Sequence, residues 1–217
     1  MNDIEVVSFD ADGTIVESSY VHSFWFQALP KLYSEKKGVE FEEAKEILTD
    51  LYNELGDEDI RWYQPEYWFK RFDLDRDPGD VIESIQVPEN VKLYDDAVEV
   101  INQLNGHYRL IVTSNSPRIF LDYALKGIEK DFHKVYSCVS DFGEVKKDET
   151  VYRRVTDQLG IKGEAMVHIG DHWRFDYEVP RKIGINTFYI DRKEEMGQDT
   201  DKGILRDMRK VIKKIKE

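Results

Sequence analysis

The chain has one cysteine, Cys138, no apolar run long enough to cross a bilayer, and fewer cationic than anionic side chains. A lone thiol excludes an internal disulfide framework and a thiolate zinc cluster. Without an N-terminal apolar h-region or an apolar stretch of about 18 residues, nothing points to secretion or membrane spanning. The sequence reads as cytoplasmic. The 31 Lys and Arg against 44 Asp and Glu leave a formal charge of −13 over 217 residues. A surface of that sign repels nucleic acid and anionic membranes, so neither is expected as a partner. A small anionic ligand is still compatible with it if the site is locally positive. Low-complexity segments and internal repeats are also lacking. What is present, 41% hydrophobic and 12% aromatic residues, is enough for a folded core rather than a disordered chain.

The apolar pattern changes period along the chain. A first strand runs from Ile4 to Phe9 and is followed by helical spacings: Phe41, Ala44, Ile47, Leu48, Leu51, Tyr52 and Leu55 share one face of a helix. Further helices are expected over Val21 to Tyr33, around Tyr67 to Phe72 and around Asp80 to Ile85, with Gly56 and Asp77-Pro78-Gly79 as punctuation. After Pro88, helix and strand alternate. A helix from about Asp96 to Leu104 precedes a strand over Tyr108 to Thr113, and Pro117 is expected to open the next helix with Ser116 as its N-cap. Strands near Val135 to Val139, Ala165 to Ile169 and Asn186 to Ile190 follow. A helix over Glu149 to Leu159 falls between the first two, and a closing helix is expected over Leu205 to Lys216. This alternation specifies an α/β fold, a Rossmann-like doubly wound parallel sheet covered on both faces. The roughly one hundred residues between the first and second strand ends far exceed an ordinary crossover. Residues 16–88 are therefore expected to form a small α-helical cap domain, with residues 1–15 and 89–217 as the α/β core.

Four strand ends carry polar residues suited to chemistry. The first ends in Asp10-Ala11-Asp12-Gly13-Thr14. Alternate side chains of an extended segment share a face, so Asp10 and Asp12 can approach one ligand while Gly13 permits a sharp turn. Two carboxylates so close repel unless a cation or a proton intervenes. Taken alone, the motif reads equally well as a polar strand end with an Asx turn. The second strand ends in Ser114-Asn115-Ser116, a hydroxyl and N–H groups at a helix start, which suits an anion. Lys146 opens Lys146-Lys147-Asp148-Glu149 after the third, and Gly170-Asp171 closes the fourth, with Asp176 five residues on. In an open α/β sheet these carboxyl-end loops converge.

Taken together, Asp10-x-Asp12-Gly13-Thr14, Ser114-Asn115, Lys146 and Gly170-Asp171-x4-Asp176 resemble the haloacid dehalogenase superfamily in its phosphatase branch, over residues 4 to 20 and 89 to 200. The resemblance implies a HAD-like core in which Asp10 is the nucleophile and Asp12 the general acid/base. Ser114 and Lys146 would hold the phosphoryl oxygens. Mg²⁺ would be held by Asp10, the Asp12 carbonyl and Asp171, with Asp176 as a further or water-mediated ligand. It also implies a small phosphorylated metabolite as substrate, an aspartyl-phosphate intermediate, and a cap that gates access. Asn115, Glu17 and His22 are candidate substrate contacts. A phosphomutase resembling β-phosphoglucomutase shares all four motifs. Dehalogenases of the superfamily lack the second Asp, because halide leaves without a proton, and a non-catalytic phospho-ligand binder would not need the complete set. Thr113 competes with Ser114, and Lys147 with Lys146. The family's usual Lys-Pro-Asp-Pro favours Lys146 when its Asp is aligned on Asp148, although both prolines are missing here. Oligomeric state is open between monomer and homodimer.

Other groupings read more plainly. Asp73, Asp75 and Asp77 imitate the start of an EF-hand loop, but Pro78 and Ser84 stand where Gly and Glu are needed. His168 and His172 have i, i+4 spacing across a strand and a loop, which does not make a zinc site. Cys138 reads as a core residue. Most of Phe24, Trp25, Phe26, Trp62, Tyr63, Tyr67 and Trp68 are expected in packing, with one or two at the cap–core cleft.

Overall fold

Strand β1, Val6–Phe9, is buried on both faces, as a continuous apolar run in a parallel sheet requires. The computed structural model describes residues 3–194, 196 and 203–216; of the span expected for the α/β core, residues 1–2, 195, 197–202 and 217 lie outside it. Strands β2 (Arg109–Ser114), β3 (Lys134–Ser137), β4 (Met166–Gly170), β5 (Asn186–Ile190) and β6 (Ile204–Leu205) complete a sheet ordered β3-β2-β1-β4-β5-β6 among the described residues. Every pairing is parallel. The chain steps outward from β1 to β3, then returns to β4 on the other side of β1. That reversal opens a crevice at the carboxyl ends of β1 and β4, where ligands of such sheets sit.

Between β1 and β2 the chain forms α1 (Ser19–Ser23), α2 (Leu29–Lys37), α3 (Phe41–Leu55), α4 (Pro65–Phe72), α5 (Pro78–Ser84) and α6 (Asp95–Leu104). The single helix expected over Val21 to Tyr33 is instead widened by a π-helical turn at Phe24–Ala28. Pro30 has no N–H to give, and the Leu29 N–H reaches back to the Phe24 carbonyl, five residues away. Helix α3 follows the apolar spacing and stops at Gly56, with φ +76°. Phe24, Trp25, Leu29, Leu48, Trp68 and Phe69 of this helical segment join Val7, Phe9, Phe120 and Leu121 in one continuous apolar cluster. Tyr20 and Phe24 meet Phe120 edge to face, at centroid distances of 5.9 and 5.2 Å.

Helix α7 (Arg118–Ala124) has Pro117 as its N-cap, not Ser116. The Arg118 N–H is bonded by Ser140 Oγ at 3.0 Å, a cap supplied from a distant turn. Strand β3 ends at Ser137, two residues early, because the Ser137 hydroxyl accepts from the Ser140 N–H and curls Cys138–Phe142 into a π-helical turn. Helices α8 (Thr150–Leu159) and α9 (Val179–Arg181) flank β4 in the chain, and α10 spans Lys210–Lys216. The closing helix starts later than expected because Leu205 pairs with Ile190 as part of β6. No helix among the described residues is long and apolar enough to cross a membrane.

Candidate active site

The four loops meet in a cavity of about 240 Å³ lined by Asp10, Asp12, Ser114, Asn115, Lys146, Asp171 and Asp176. His22, Asp57, Trp62 and Tyr63 of the helical segment close its other wall. Glu17 does not line it; its N–H is engaged by the Lys92 carbonyl.

Lys146 is fully inside. Its Nζ donates to Asp10 Oδ1 at 2.6 Å, to Asp176 Oδ1 at 2.6 Å and to the Thr113 carbonyl at 3.0 Å. Burial works against the ammonium, but the two carboxylates outweigh it and hold its pKa well above the usual lysine value. Lys147 points elsewhere, to the Glu58 carbonyl. Likewise Thr113 turns its hydroxyl inward to Ser8 Oγ at 3.0 Å, while Ser114 lines the cavity and accepts from the Ser116 N–H at 3.1 Å. Successive residues of a strand face opposite ways, so the choice between each neighbouring pair is made by the pleat or the turn.

Asp176 is the most heavily bonded carboxylate. Besides Lys146, its Oδ1 lies 3.0 Å from His168 Nε2, and its Oδ2 accepts from the His172 N–H at 3.1 Å. Burial pushes its pKa up, yet Lys146 and His168 prevail and hold it below the usual carboxylate range. An ionised Asp176 only accepts, so His168 Nε2 carries the proton and Nδ1 faces Ser8 Oγ at 2.8 Å. Burial keeps His168 below its ordinary pKa despite Asp176, which favours this neutral imidazole.

The other carboxyls lack such compensation. Asp10 is raised, mainly by burial, with Lys146 pulling the other way. Asp12 is pushed up to about 7, first by burial and then by the neighbouring Asp10, while the Ser116 hydroxyl and Lys146 oppose this. Ser116 Oγ is buried and makes no hydrogen bond of normal geometry. Asp171 is raised well above the carboxylate range by burial and by Asp10 and Asp176; it receives one hydroxyl, from Thr14 at 3.3 Å.

Four acidic side chains thus face one ammonium, an imbalance that a divalent cation corrects. Oxygens of Asp10, Asp171 and Asp176 lie within 4.8 Å of one another, an all-oxygen donor set of the kind Mg²⁺ takes. The backbone leaves room for the carboxylates of this set. Gly13 sits at φ +78°, and a Cβ there would come 2.0 Å from Asp171 Oδ2. At Gly170 a Cβ would meet Asp176 at 2.3 Å.

Several contributors were not assigned these roles from the sequence. Ser8 and His168 are polar intruders in apolar strands and stand opposite each other in register, which was the available signal. Tyr152, whose hydroxyl donates to the Phe175 carbonyl at 2.8 Å, packs edge-on against His168. Asp57 receives His172 Nε2 at 3.1 Å, and Tyr63 OH accepts from Asn115 Nδ2 at 3.2 Å. Asn115 Oδ1 in turn accepts the Lys146 N–H at 3.0 Å, so its side chain is spent on joining two loops. Of the aromatics, Phe24, Trp25 and Trp68 are core, whereas Trp62 and Tyr63 reach the cavity. Asp73 and Asp75 pair with Lys36, and Asp77 caps α5 through the Gly79 N–H. Cys138 is buried.

A family model described as haloacid dehalogenase-like hydrolase matches residues 4–184, and the chain belongs to that family of hydrolases. Among its relatives is the GMP/IMP nucleotidase YrfG of Escherichia coli (strain K12), 25% identical over 172 residues, covering 78% of this chain and 75% of that protein. The HAD phosphatase from Thermococcus onnurineus superposes with a TM-score of 0.84 at 23% identity, covering 98% of both chains. The 2-haloacid dehalogenase from Pseudomonas syringae pv. Tomato DC3000 superposes with a TM-score of 0.70 at 18% identity, also covering 98% of both. The fold is shared by enzymes of both kinds, so the side chains must separate the activities.

Proposed function

We propose that the protein is a Mg²⁺-dependent phosphatase acting on a small phosphorylated metabolite, with Asp10 as nucleophile and Asp12 as general acid/base. One observation carries this reading: Asp12, which keeps a proton to about pH 7, lines the same cavity as Asp10. A carbon–halogen bond needs no such acid, because halide leaves unprotonated; a phosphate ester does.

An oxygen of Asp10 attacks phosphorus, and the bond from phosphorus to the ester oxygen breaks as Asp12 delivers its proton to that oxygen. The alcohol leaves and an aspartyl-phosphate remains. Asp12, now a carboxylate, takes a proton from water as its oxygen attacks phosphorus, which frees Asp10 and inorganic phosphate. Lys146 offsets charge on Asp10 and on the phosphoryl oxygens, and the Ser114 and Ser116 hydroxyls have the positions to donate to them. Asp10, Asp171 and Asp176, with the Asp12 carbonyl, would hold Mg²⁺; the ion would supply positive charge against the transferred group.

We take residues 16–88 as the cap. His22, Asp57, Trp62 and Tyr63 come from that span and line the cavity, where they would face the leaving group. The nucleotidase relative makes purine nucleoside monophosphates the first substrates to try. The direct test is phosphate release from p-nitrophenyl phosphate, then from a panel of nucleoside and sugar monophosphates. We expect turnover that needs Mg²⁺ and disappears in Asp10→Ala. Retained turnover in Asp10→Ala, or none by the wild type with Mg²⁺ on any ester, overturns the reading.

A further inference from the structure

Arg192 lies just beyond β5, about 180 residues from the first motif, yet it is bound to that motif's backbone. Its Nε donates to the Gly13 carbonyl at 3.1 Å and its Nη2 to the Thr14 carbonyl at 2.8 Å. The same guanidinium faces Asp96, with Nη1 and Nη2 at 3.2 and 3.1 Å from the two carboxylate oxygens. It lies over the Tyr94 ring, 3.6 Å from the centroid. Tyr94 itself donates its N–H to the Ile15 carbonyl at 2.9 Å, and Asp96 is fixed by the Met208 N–H at 2.8 Å. Three consecutive carbonyls, those of Gly13, Thr14 and Ile15, are therefore gripped from outside by one brace. From inside, the loop is wound round the Ala11 carbonyl, which accepts from the N–H groups of Thr14, Ile15 and Val16.

We propose that Arg192 is a positioning residue for the reaction: with Asp96 and Tyr94 it fixes the turn that sets Asp12 and Asp171. This inference rests on the phosphatase reading, in which those two residues act as acid/base and metal ligand. The path from Arg192 to Asp171 is short. The held Thr14 donates its hydroxyl to Asp171 at 3.3 Å, and the held Gly13 abuts the Asp171 carboxylate with no space for a Cβ. A tilt of the turn shifts both contacts and moves the Asp12 side chain, which precedes them. Four directed bonds and a stacked face are what the planar guanidinium supplies; an ammonium cannot reproduce them. A displacement of about 1 Å at a reacting group costs on the order of a hundredfold in rate.

The experiment compares wild type, Arg192→Gln and Arg192→Lys, full length, at a temperature where circular dichroism shows each folded. Turnover of p-nitrophenyl phosphate gives kcat and KM, and calorimetric titration with Mg²⁺ alone gives Kd without turnover. We expect kcat to fall at least about tenfold in Arg192→Gln with KM within about twofold, Mg²⁺ Kd to weaken at least about threefold, and Arg192→Lys to recover little of either. A folded Arg192→Gln with wild-type kcat and Kd, and only a lower Tm, reduces Arg192 to a structural tie and overturns the proposal. If Arg192→Gln does not fold, Tyr94→Leu keeps every donor but removes the ring beneath them; a smaller fall in the same two quantities supports the proposal, and wild-type values overturn it. Absence of turnover in the wild type itself fails the phosphatase reading instead, and the Mg²⁺ titration still tests the brace.

Discussion

Lys146 Nζ stands 2.6 Å from one oxygen of Asp10 and 2.6 Å from one oxygen of Asp176, so a single buried ammonium spans the ends of β1 and β4. Among the described residues no second cationic side chain is bonded to either carboxylate, since burial favours the neutral form of His168. The lysine therefore orders the site as well as serving it. Lys146→Met leaves two buried acids facing each other, a loss of the kind that strongly destabilises.

We expect kcat for p-nitrophenyl phosphate to drop at least about a hundredfold in Lys146→Met, with Tm lowered, while Lys147→Met stays within about twofold. The reverse pattern would show that Lys147 is the working residue.

Asp12 gives a stability signature that needs no substrate. In the folded chain its carboxyl is pushed up to about 7 by burial and by Asp10, against 3.8 for the free side chain. Folding therefore takes up a proton between those pH values. The contribution is complete below the lower value and is lost as pH rises through the upper one. Asp12→Asn has no proton to lose at that position. Measured without metal, its Tm relative to wild type should be several degrees more favourable at pH 8 than at pH 5. An equal difference at both pH values refutes the raised pKa.

His168 tests the polar path beneath the site. His168→Phe keeps a flat ring against Tyr152 but removes one of the two partners of Ser8, which retains Thr113, and deprives Asp176 of a donor. Losing two buried hydrogen bonds, one of them to a charged group, costs about 1–3 kcal/mol, which should appear as a lower Tm together with a fall in kcat smaller than that of Lys146→Met. Unchanged thermal unfolding would mean that water replaces the imidazole at no cost.

Gly13 separates backbone strain from steric exclusion. Gly13→Ala meets both a positive φ and an Asp171 oxygen 2.0 Å away, whereas Gly38→Ala meets a φ of +69° in open space. Both should lose about 1 kcal/mol through the left-handed backbone. Only Gly13→Ala should weaken Mg²⁺ binding in calorimetry, by at least about tenfold. Equal Mg²⁺ affinity in the two variants would place the ion away from Asp171.

The parallel sheet and the four loops were legible in the sequence because each rests on a local rule: apolar runs make buried strands, and Asp10, Ser114, Lys146 and Asp171 follow strand ends in order. What was not legible depends on register or on distant partners. Ser8 and His168 face each other only once β1 and β4 are paired. Ser140 serves as the cap of α7 from 22 residues away, so no local pattern around Ser116 and Pro117 announces it. Arg192 reaches Gly13 across the whole chain, and the short β6 strand is hidden in a tail whose lysines read as helix surface.

The helical segment is attached to the sheet by two unlike bonds. At one end Tyr20, Phe24 and Trp25 are interlocked with Phe120 in a buried apolar cluster. At the other, residues 57–63 touch the loops through polar contacts, Asp57 with His172, Glu58 with Arg174 and Lys147, Tyr63 with Asn115, and through Ile60 and Tyr63, which pack against Val139, Val145 and Phe175. Hydrophobic contact does not weaken with ionic strength, and exposed ion pairs do. The aromatic end is thus insensitive to ionic strength, whereas the ion pairs at the other end are not. Raised ionic strength therefore weakens the Asp57–His172 and Glu58–Arg174 pairs while leaving the Phe120 cluster and the Ile60 contact in place.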